Sequence, residues 1–236
     1  MSREQQVVSI GARPEALAID LSRTAVLVID MQNDFGAKGG MFDRAGIDIT
    51  GIGRAVAPTG RALAAARARG IPVIYLAMQH RPDLADMGDE AAPHRIKHGP
   101  LGVGATVSTP DGGSGRILVS GSWGTEIVPE LAPAPGDIVV AKHRYSGFFE
   151  TPLDSILRRL GARHLVVTGC STSVCVESTI RDAMFRDYQC LLLEDCTAEP
   201  IGSGNSRGNH EASLLTIELL LGWVSDSPRF VAAVGK

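Results

Sequence analysis

The stretch His164-Leu-Val-Val-Thr-Gly-Cys-Ser-Thr-Ser-Val-Cys-Val-Glu-Ser178 joins an apolar, β-rich run to a helical pattern through a short series of small residues. Residues 164–168 read as a strand covered on both faces, because apolar side chains follow one another without alternating with polar ones. Beyond the turn, Val176, Ile180, Ala183 and Met184 fall on one helical face. A strand feeding a helix in this way is the repeating half of a parallel sheet. The same stretch puts Cys175 at a helix start, where the dipole and unpartnered N–H groups favour a thiolate. A packed, inert thiol is the other reading of Cys175, and the rest of the chain decides between them.

Working outward, residues 25–29 form a continuous apolar run that ends in Asp30, and residues 72–77 form a second. Residues 137–141 predict a third core strand ended by Lys142, residues 190–193 a fifth after 164–168, and Trp223-Val224 a last short one. Between them lie helical patterns. One runs over 58–69, with Pro58 in its first turn and Gly70 as its stop, and another over 151–160, closed by Gly161. A third covers 209–221, with Asn209 as N-cap after a glycine-rich loop at 201–208. Strands alternating with helices predict an α/β protein, a three-layer α/β/α arrangement around a mainly parallel six-stranded sheet. Residues 79–126 break the rhythm with a long excursion that contains a hairpin near Pro110-Asp-Gly-Gly113. It reads either as a solvated loop or as an active-site cover. No repeat or linker interrupts the chain, so residues 1–236 read as one domain.

Composition narrows the function classes. With 44% apolar and 21% charged residues the chain is ordinary globular material, which excludes disorder, collagen and coiled coil. A net charge of −3 without a basic cluster argues against a nucleic-acid partner. A polar start and no run of about eighteen apolar residues argue against a membrane partner and for a cytosolic protein. Cys170, Cys175, Cys190 and Cys196 form no Cys-x-x-Cys pair, so zinc and thioredoxin patterns are absent and all four are expected to be reduced.

Parallel sheets bind ligands at the carboxyl ends of their strands, and topology alone gathers Asp30, Lys142 and the turn before Cys175 at that edge. Taken singly, they read as a turn residue, a surface charge and a packed thiol. Together they mean more. A buried aspartate and lysine must pair, and such a pair beside a thiol is a general-base device.

These residues carry a family resemblance. Val28-Ile-Asp-Met-Gln-Asn-Asp-Phe35, the strand-end Lys142, and Thr168-Gly-Cys-Ser-Thr-Ser-Val-Cys-Val-Glu-Ser178 resemble the three signatures of the isochorismatase-like cysteine hydrolases, over about residues 14–225. Within that superfamily, Lys142-His-Arg-Tyr-Ser-Gly-Phe-Phe-Glu-Thr-Pro-Leu-Asp-Ser-Ile-Leu157 and Gly222-Trp-Val-Ser-Asp226 are most similar to ureidoacrylate amidohydrolases. His80-Arg-Pro-Asp-Leu-Ala-Asp86 and Leu191-Leu-Leu-Glu-Asp-Cys196 resemble biuret and triuret hydrolases instead. The resemblance implies a triad in which Asp30 takes the thiol proton, Lys142 holds and polarises the pair, and Cys175 attacks a carbonyl carbon to form a thioester-like intermediate. It further implies an oxyanion hole from the N–H groups of Ser171 and Cys175, a cis peptide between Cys170 and Ser171, a small ureido or carbamoyl substrate, and a homo-oligomer, dimer or tetramer. The nicotinamidase branch carries a metal-binding aspartate with two histidines after its second strand. Here Ala77-Met-Gln-His-Arg-Pro82 offers His80 alone, so no metal and no cofactor are expected.

Substrate contacts are read from chemistry. Gln32, Asn33 and Gln79 could hydrogen-bond a urea group, Phe35 and Tyr145 could wall the pocket, and Arg144 could meet a carboxylate. Trp123 reads as a cover or a hydrophobic anchor. Two other classes stay open at this point: a thiol-redox protein using Cys170 and Cys175, and a silent binding protein of the same fold.

Overall fold

Alternation along the central strands decides what each layer buries. In the computed structural model, which describes residues 6–202 and 208–235, Val26 and Val28 enter one buried cluster while Ala25, Leu27 and Ile29 enter another. Both faces of this strand are apolar, so helices must cover both.

The elements begin with a hairpin, β1 (Val7–Ile10) and β2 (Leu17–Asp20), followed by β3 (Thr24–Ile29), the short helices α1 (Asn33–Gly36) and α2 (Met41–Arg44), then α3 (Thr50–Ala68) and β4 (Val73–Met78). Next come α4 (Pro93–His98), the hairpin β5 (Thr106–Ser108) and β6 (Ser114–Arg116), β7 (Ile138–Lys142), α5 (Leu153–Leu160) and β8 (His164–Cys170). The last elements are α6 (Glu177–Met184), β9 (Gln189–Ala198), α7 (Asn209–Thr216), β10 (Trp223–Ser225) and α8 (Ser227–Val234). Six strands form one parallel sheet in the order β10-β9-β8-β3-β4-β7. Residues of α3 and α8 pack on one face, and residues of α5, α6 and α7 on the other. The predicted three-layer α/β/α arrangement is the observed one, with the β1–β2 hairpin and α8 added to it.

Three boundaries differ from the sequence reading. Helix α3 starts at Thr50, so Pro58 lies inside it rather than at its first turn. Asp48 accepts a hydrogen bond from the Thr50 N–H at 2.9 Å, and burial of Ile52 and Ala55 anchors the added turns. One missing interior N–H is then outweighed by packing. Asn209 is the first residue of α7 rather than its cap, and its side-chain amide donates to the Ile201 carbonyl at 3.3 Å. The helix gives way to a wider turn over Ile217–Leu221. Strand β7 is an edge strand with Val139 half exposed, not a core strand. Asp137 is drawn out of it by an ion pair with Arg67 at 2.6 Å. Residues 203–207 of the glycine-rich loop and the polar residues 1–5 lie outside the described residues.

The excursion between β4 and β7 is firmly tied down. The His80 N–H donates to the Leu118 carbonyl at 2.7 Å, the Ser120 N–H to the His80 carbonyl at 2.9 Å, and the Leu118 N–H to the buried Asp34 carboxylate at 2.8 Å. Among the described residues no helix is long and apolar enough to cross a membrane.

Gly169, in β8, has φ +120° beside β3, and a Cβ there would stand 2.0 Å from the Ile29 carbonyl oxygen. Gly169→Ala should therefore destabilise the protein by roughly 2–4 kcal/mol. Urea denaturation of purified protein checks this, and an unchanged midpoint would contradict the close approach.

Candidate active site

Asp30 is the first residue past β3 and takes φ +53°, a left-handed turn that aspartate tolerates better than most residues. The turn directs its carboxylate across the ends of β4 and β7. One oxygen accepts the Met78 N–H at 3.0 Å and the other accepts the Lys142 ammonium at 2.7 Å. Lys142 is paired in register with Met78, is fully buried, and also donates to the Arg144 carbonyl at 3.2 Å. The ammonium's three donors are taken by the Asp30 carboxylate, the Arg144 carbonyl and, at 3.7 Å, the Met78 sulfur. The buried Cys175 lines the same cavity as Asp30 and is electrostatically coupled to both Asp30 and Lys142, so the sheet edge gathers the three residues expected from the sequence.

Cys175 reaches this point through an unusual connection. The Cys170–Ser171 peptide is cis, as the resemblance implied, and the chain then makes a wide π-type turn over Thr172–Val176 before α6. The N–H groups of Val174 and Val176, on either side of the nucleophile candidate, converge on the Ser171 carbonyl at 3.1 and 3.2 Å. Neighbouring elements clamp the turn. Glu199 accepts the Ser173 N–H at 2.6 Å, and the Thr172 hydroxyl meets Thr197 at 2.9 Å and His210 at 3.1 Å. From the far side, Thr179 donates to the Cys175 carbonyl at 2.7 Å. Sequence reasoning missed Thr197, Glu199 and His210 because β9 and α7 deliver them from a distance.

Electrostatics correct one expectation. Burial pushes the Cys175 thiol well up, the Asp30 charge pushes it further, and Lys142 offsets only part. Both effects act against the thiolate that a helix start would favour. Cys175 sits in a buried turn against a carboxylate, and both effects overwhelm the dipole. Burial also pushes the Asp30 carboxyl up against the attraction of Lys142, which makes it a stronger base than a solvated aspartate. For Lys142, burial works downward, but the Asp30 carboxylate holds it above its ordinary value, so it stays charged.

A cavity of about 210 Å³ opens above these residues. That is small against the roughly 300–1,000 Å³ typical of drug-sized ligands. Phe35, Tyr145 and Ser171 line it as expected, together with Lys97, His98 and Ile201, which the sequence did not single out. The signal for the first two was present in Pro93-His-Arg-Ile-Lys-His98, a proline-started helix with histidines one turn apart.

Other candidates lie elsewhere. Gln32 is fully buried and engaged: its amide donates to the Met78 and Thr125 carbonyls, both at 2.9 Å, and its oxygen accepts the Met78 N–H at 2.8 Å. It braces the strand ends rather than facing the cavity. Asn33 likewise donates to the Trp123 carbonyl at 2.9 Å. Gln79 and Arg144 line a separate cavity of about 620 Å³ that contains no cysteine. The Arg144 guanidinium is held there by the Asp86 and His143 carbonyls and lies over the Phe149 ring. His80 is buried with its Nδ1 on Asp86 at 3.1 Å. Among the described residues no His, Cys, Asp and Glu cluster is arranged to hold a metal, and all four cysteines are free.

The chain is similar to known proteins over most of its length. The profile described as isochorismatase domain matches residues 24–229. A ureidoacrylate amidohydrolase RutB from Methylobacterium radiotolerans is 42% identical over 97% of this chain and 86% of its own, and one from Methylorubrum extorquens is 42% identical over 97% and 90%. Among solved structures, a cysteine hydrolase from Pseudomonas syringae pv. phaseolicola superposes with a TM-score of 0.77 at 29% identity, covering 100% of this chain and 99% of the other. N-carbamoylsarcosine amidase from Thermoplasma acidophilum gives 0.64 at 28%, covering 87% and 96%.

A raised thiol has a measurable signature. The alkylation rate of Cys175 by iodoacetamide, followed by mass spectrometry, should climb steadily from pH 7 through pH 9, since the thiolate fraction is still growing there. A plateau near pH 7 would mean a preformed thiolate.

Proposed function

The chain belongs to the isochorismatase family, and from that premise we propose that it is a cysteine amidohydrolase cleaving a carbon–nitrogen bond, other than a peptide bond, in a ureidoacrylate-type substrate. The buried Asp30–Lys142 ion pair at 2.7 Å, whose aspartate shares the lining of a small cavity with Cys175, carries this reading. The relatives named ureidoacrylate amidohydrolase, at 42% identity over nearly the whole chain, favour that substrate over biuret or triuret.

In the proposed reaction Cys175 Sγ attacks the ureido carbonyl carbon while Asp30 takes the thiol proton. Charge then grows on the carbonyl oxygen, and the N–H groups of Ser171 and Cys175 receive it. Lys142 keeps the carboxylate oriented throughout and stabilises negative charge on sulfur or oxygen as it shifts. Collapse returns the proton from Asp30 to the departing nitrogen, releasing an aminoacrylate and leaving a carbamoyl group on Cys175. Water, deprotonated by Asp30, attacks that group and frees carbamate, which decomposes to ammonia and carbon dioxide. Each step uses Asp30 as a proton carrier, which suits a carboxyl whose proton affinity burial has raised.

A thiol-redox role fits the site less well. Cys170 and Cys175 are both buried, and both thiols are pushed upward, which suppresses the thiolate that exchange requires.

Ammonia release should be measured on ureidoacrylate, biuret, triuret, carbamoyl amino acids and nicotinamide. Ureidoacrylate should be preferred, Cys175→Ser should be inactive, and Asp30→Asn should lose roughly 10²–10⁴-fold in kcat. Full turnover by the Cys175→Ser protein would overturn the covalent route.

A further inference from the structure

We infer that Lys97, carried on α4 within the excursion, is the specificity residue that captures the carboxylate of an anionic ureido substrate. This deepens the reading above and rests on it.

The cavity has a polarity. At its floor Asp30 and Cys175 are buried, and the Asp30 charge is neutralised by Lys142. On its lining, Lys97 is exposed and, among the described residues, has no ion-pair partner. The Asp30–Lys142 pair leaves the floor with no spare positive charge, so an anionic group brought into this space needs a cation elsewhere on the lining. Lys97 is that cation among the described lining residues. Arg144, the sequence candidate for the task, is bound to two carbonyls in the neighbouring cavity.

The adjacent His98 fits the same assignment. Its Nδ1 is 2.8 Å from the His94 carbonyl oxygen, which can only accept, so that nitrogen carries the proton and Nε2 keeps a lone pair. Burial holds the ring neutral by pushing its pKa down. His98 thus offers an acceptor for a ureido N–H in the cavity where Lys97 offers a donor for a carboxylate. Two neighbouring residues of one helix then match the two ends of a short ureido acid. The floor, with its thiol, is left to the carbonyl carbon. A neutral ureido compound would use His98 and the floor but would have nothing for Lys97 to bind.

Steady-state kinetics of Lys97→Met, Lys97→Arg and Arg144→Met on ureidoacrylate and on neutral biuret test this. Loss of a charge-assisted hydrogen bond predicts KM for ureidoacrylate up by roughly 10- to 100-fold in Lys97→Met, with kcat largely kept. Biuret kinetics should be unchanged, Lys97→Arg should recover most of the affinity, and Arg144→Met should not raise KM for ureidoacrylate relative to biuret. If the unaltered protein turns over ureidoacrylate and Lys97→Met shows either no change or equal losses on both compounds, the role of Lys97 is overturned while the amidohydrolase reading stands. If the unaltered protein hydrolyses neither compound, that reading falls and the inference falls with it.

Discussion

A lysine and an aspartate, both withdrawn from water, hold the ends of β3, β4 and β7 in one arrangement. Neither charge is tolerable alone in that environment. Removing one partner of such a pair destabilises a protein by about 3–5 kcal/mol, because the other is left buried and uncompensated. The pair is therefore a constraint on the fold as much as a piece of chemistry. Its remaining hydrogen-bonding capacity goes to the Met78 N–H, the Arg144 carbonyl and the Met78 sulfur. The nucleophile candidate lies beside this network, electrostatically coupled to both charges.

The state of the thiol follows from that network. Burial and the Asp30 charge both favour the proton on sulfur, so in the proposed reaction nucleophile and base start as one neutral–charged pair and proton transfer accompanies attack. A cysteine kept this way would be guarded against casual alkylation and oxidation, both of which need the thiolate. The surrounding clamp from Glu199, Thr197 and His210 fixes where the sulfur sits, which matters more for this chemistry than its resting charge.

The residues proposed to do the chemistry could be placed together from the chain because strand ends are legible. Apolar runs ended by Asp30 and Lys142, and a run entering a turn with Cys175, put all three at one sheet edge by topology. The recognition residues could not be read in the same way. Gln32 and Arg144 have suitable chemistry, but whether an amide or guanidinium faces a cavity depends on which backbone carbonyls happen to be nearby, and here carbonyls took both. Lys97 and His98 lie in the excursion, whose irregular backbone gives periodicity nothing to act on. The early start of α3 shows a related limit: Pro58 looked like a beginning because local propensity was all that could be weighed, while the packing of Ile52 and Ala55 was invisible.

Gln32 has a consequence for how the site can move. One amide grips the carbonyl of Met78, next to the proposed base, and the carbonyl of Thr125, near the far end of the excursion. Lifting the whole excursion like a lid would pull away the brace that steadies the Asp30 strand end. The far end of the excursion and the Asp30 strand end are thus hinged to one side chain, so that neither can shift without the other. A change that freed the Gln32 amide would disturb the proposed base and the excursion together.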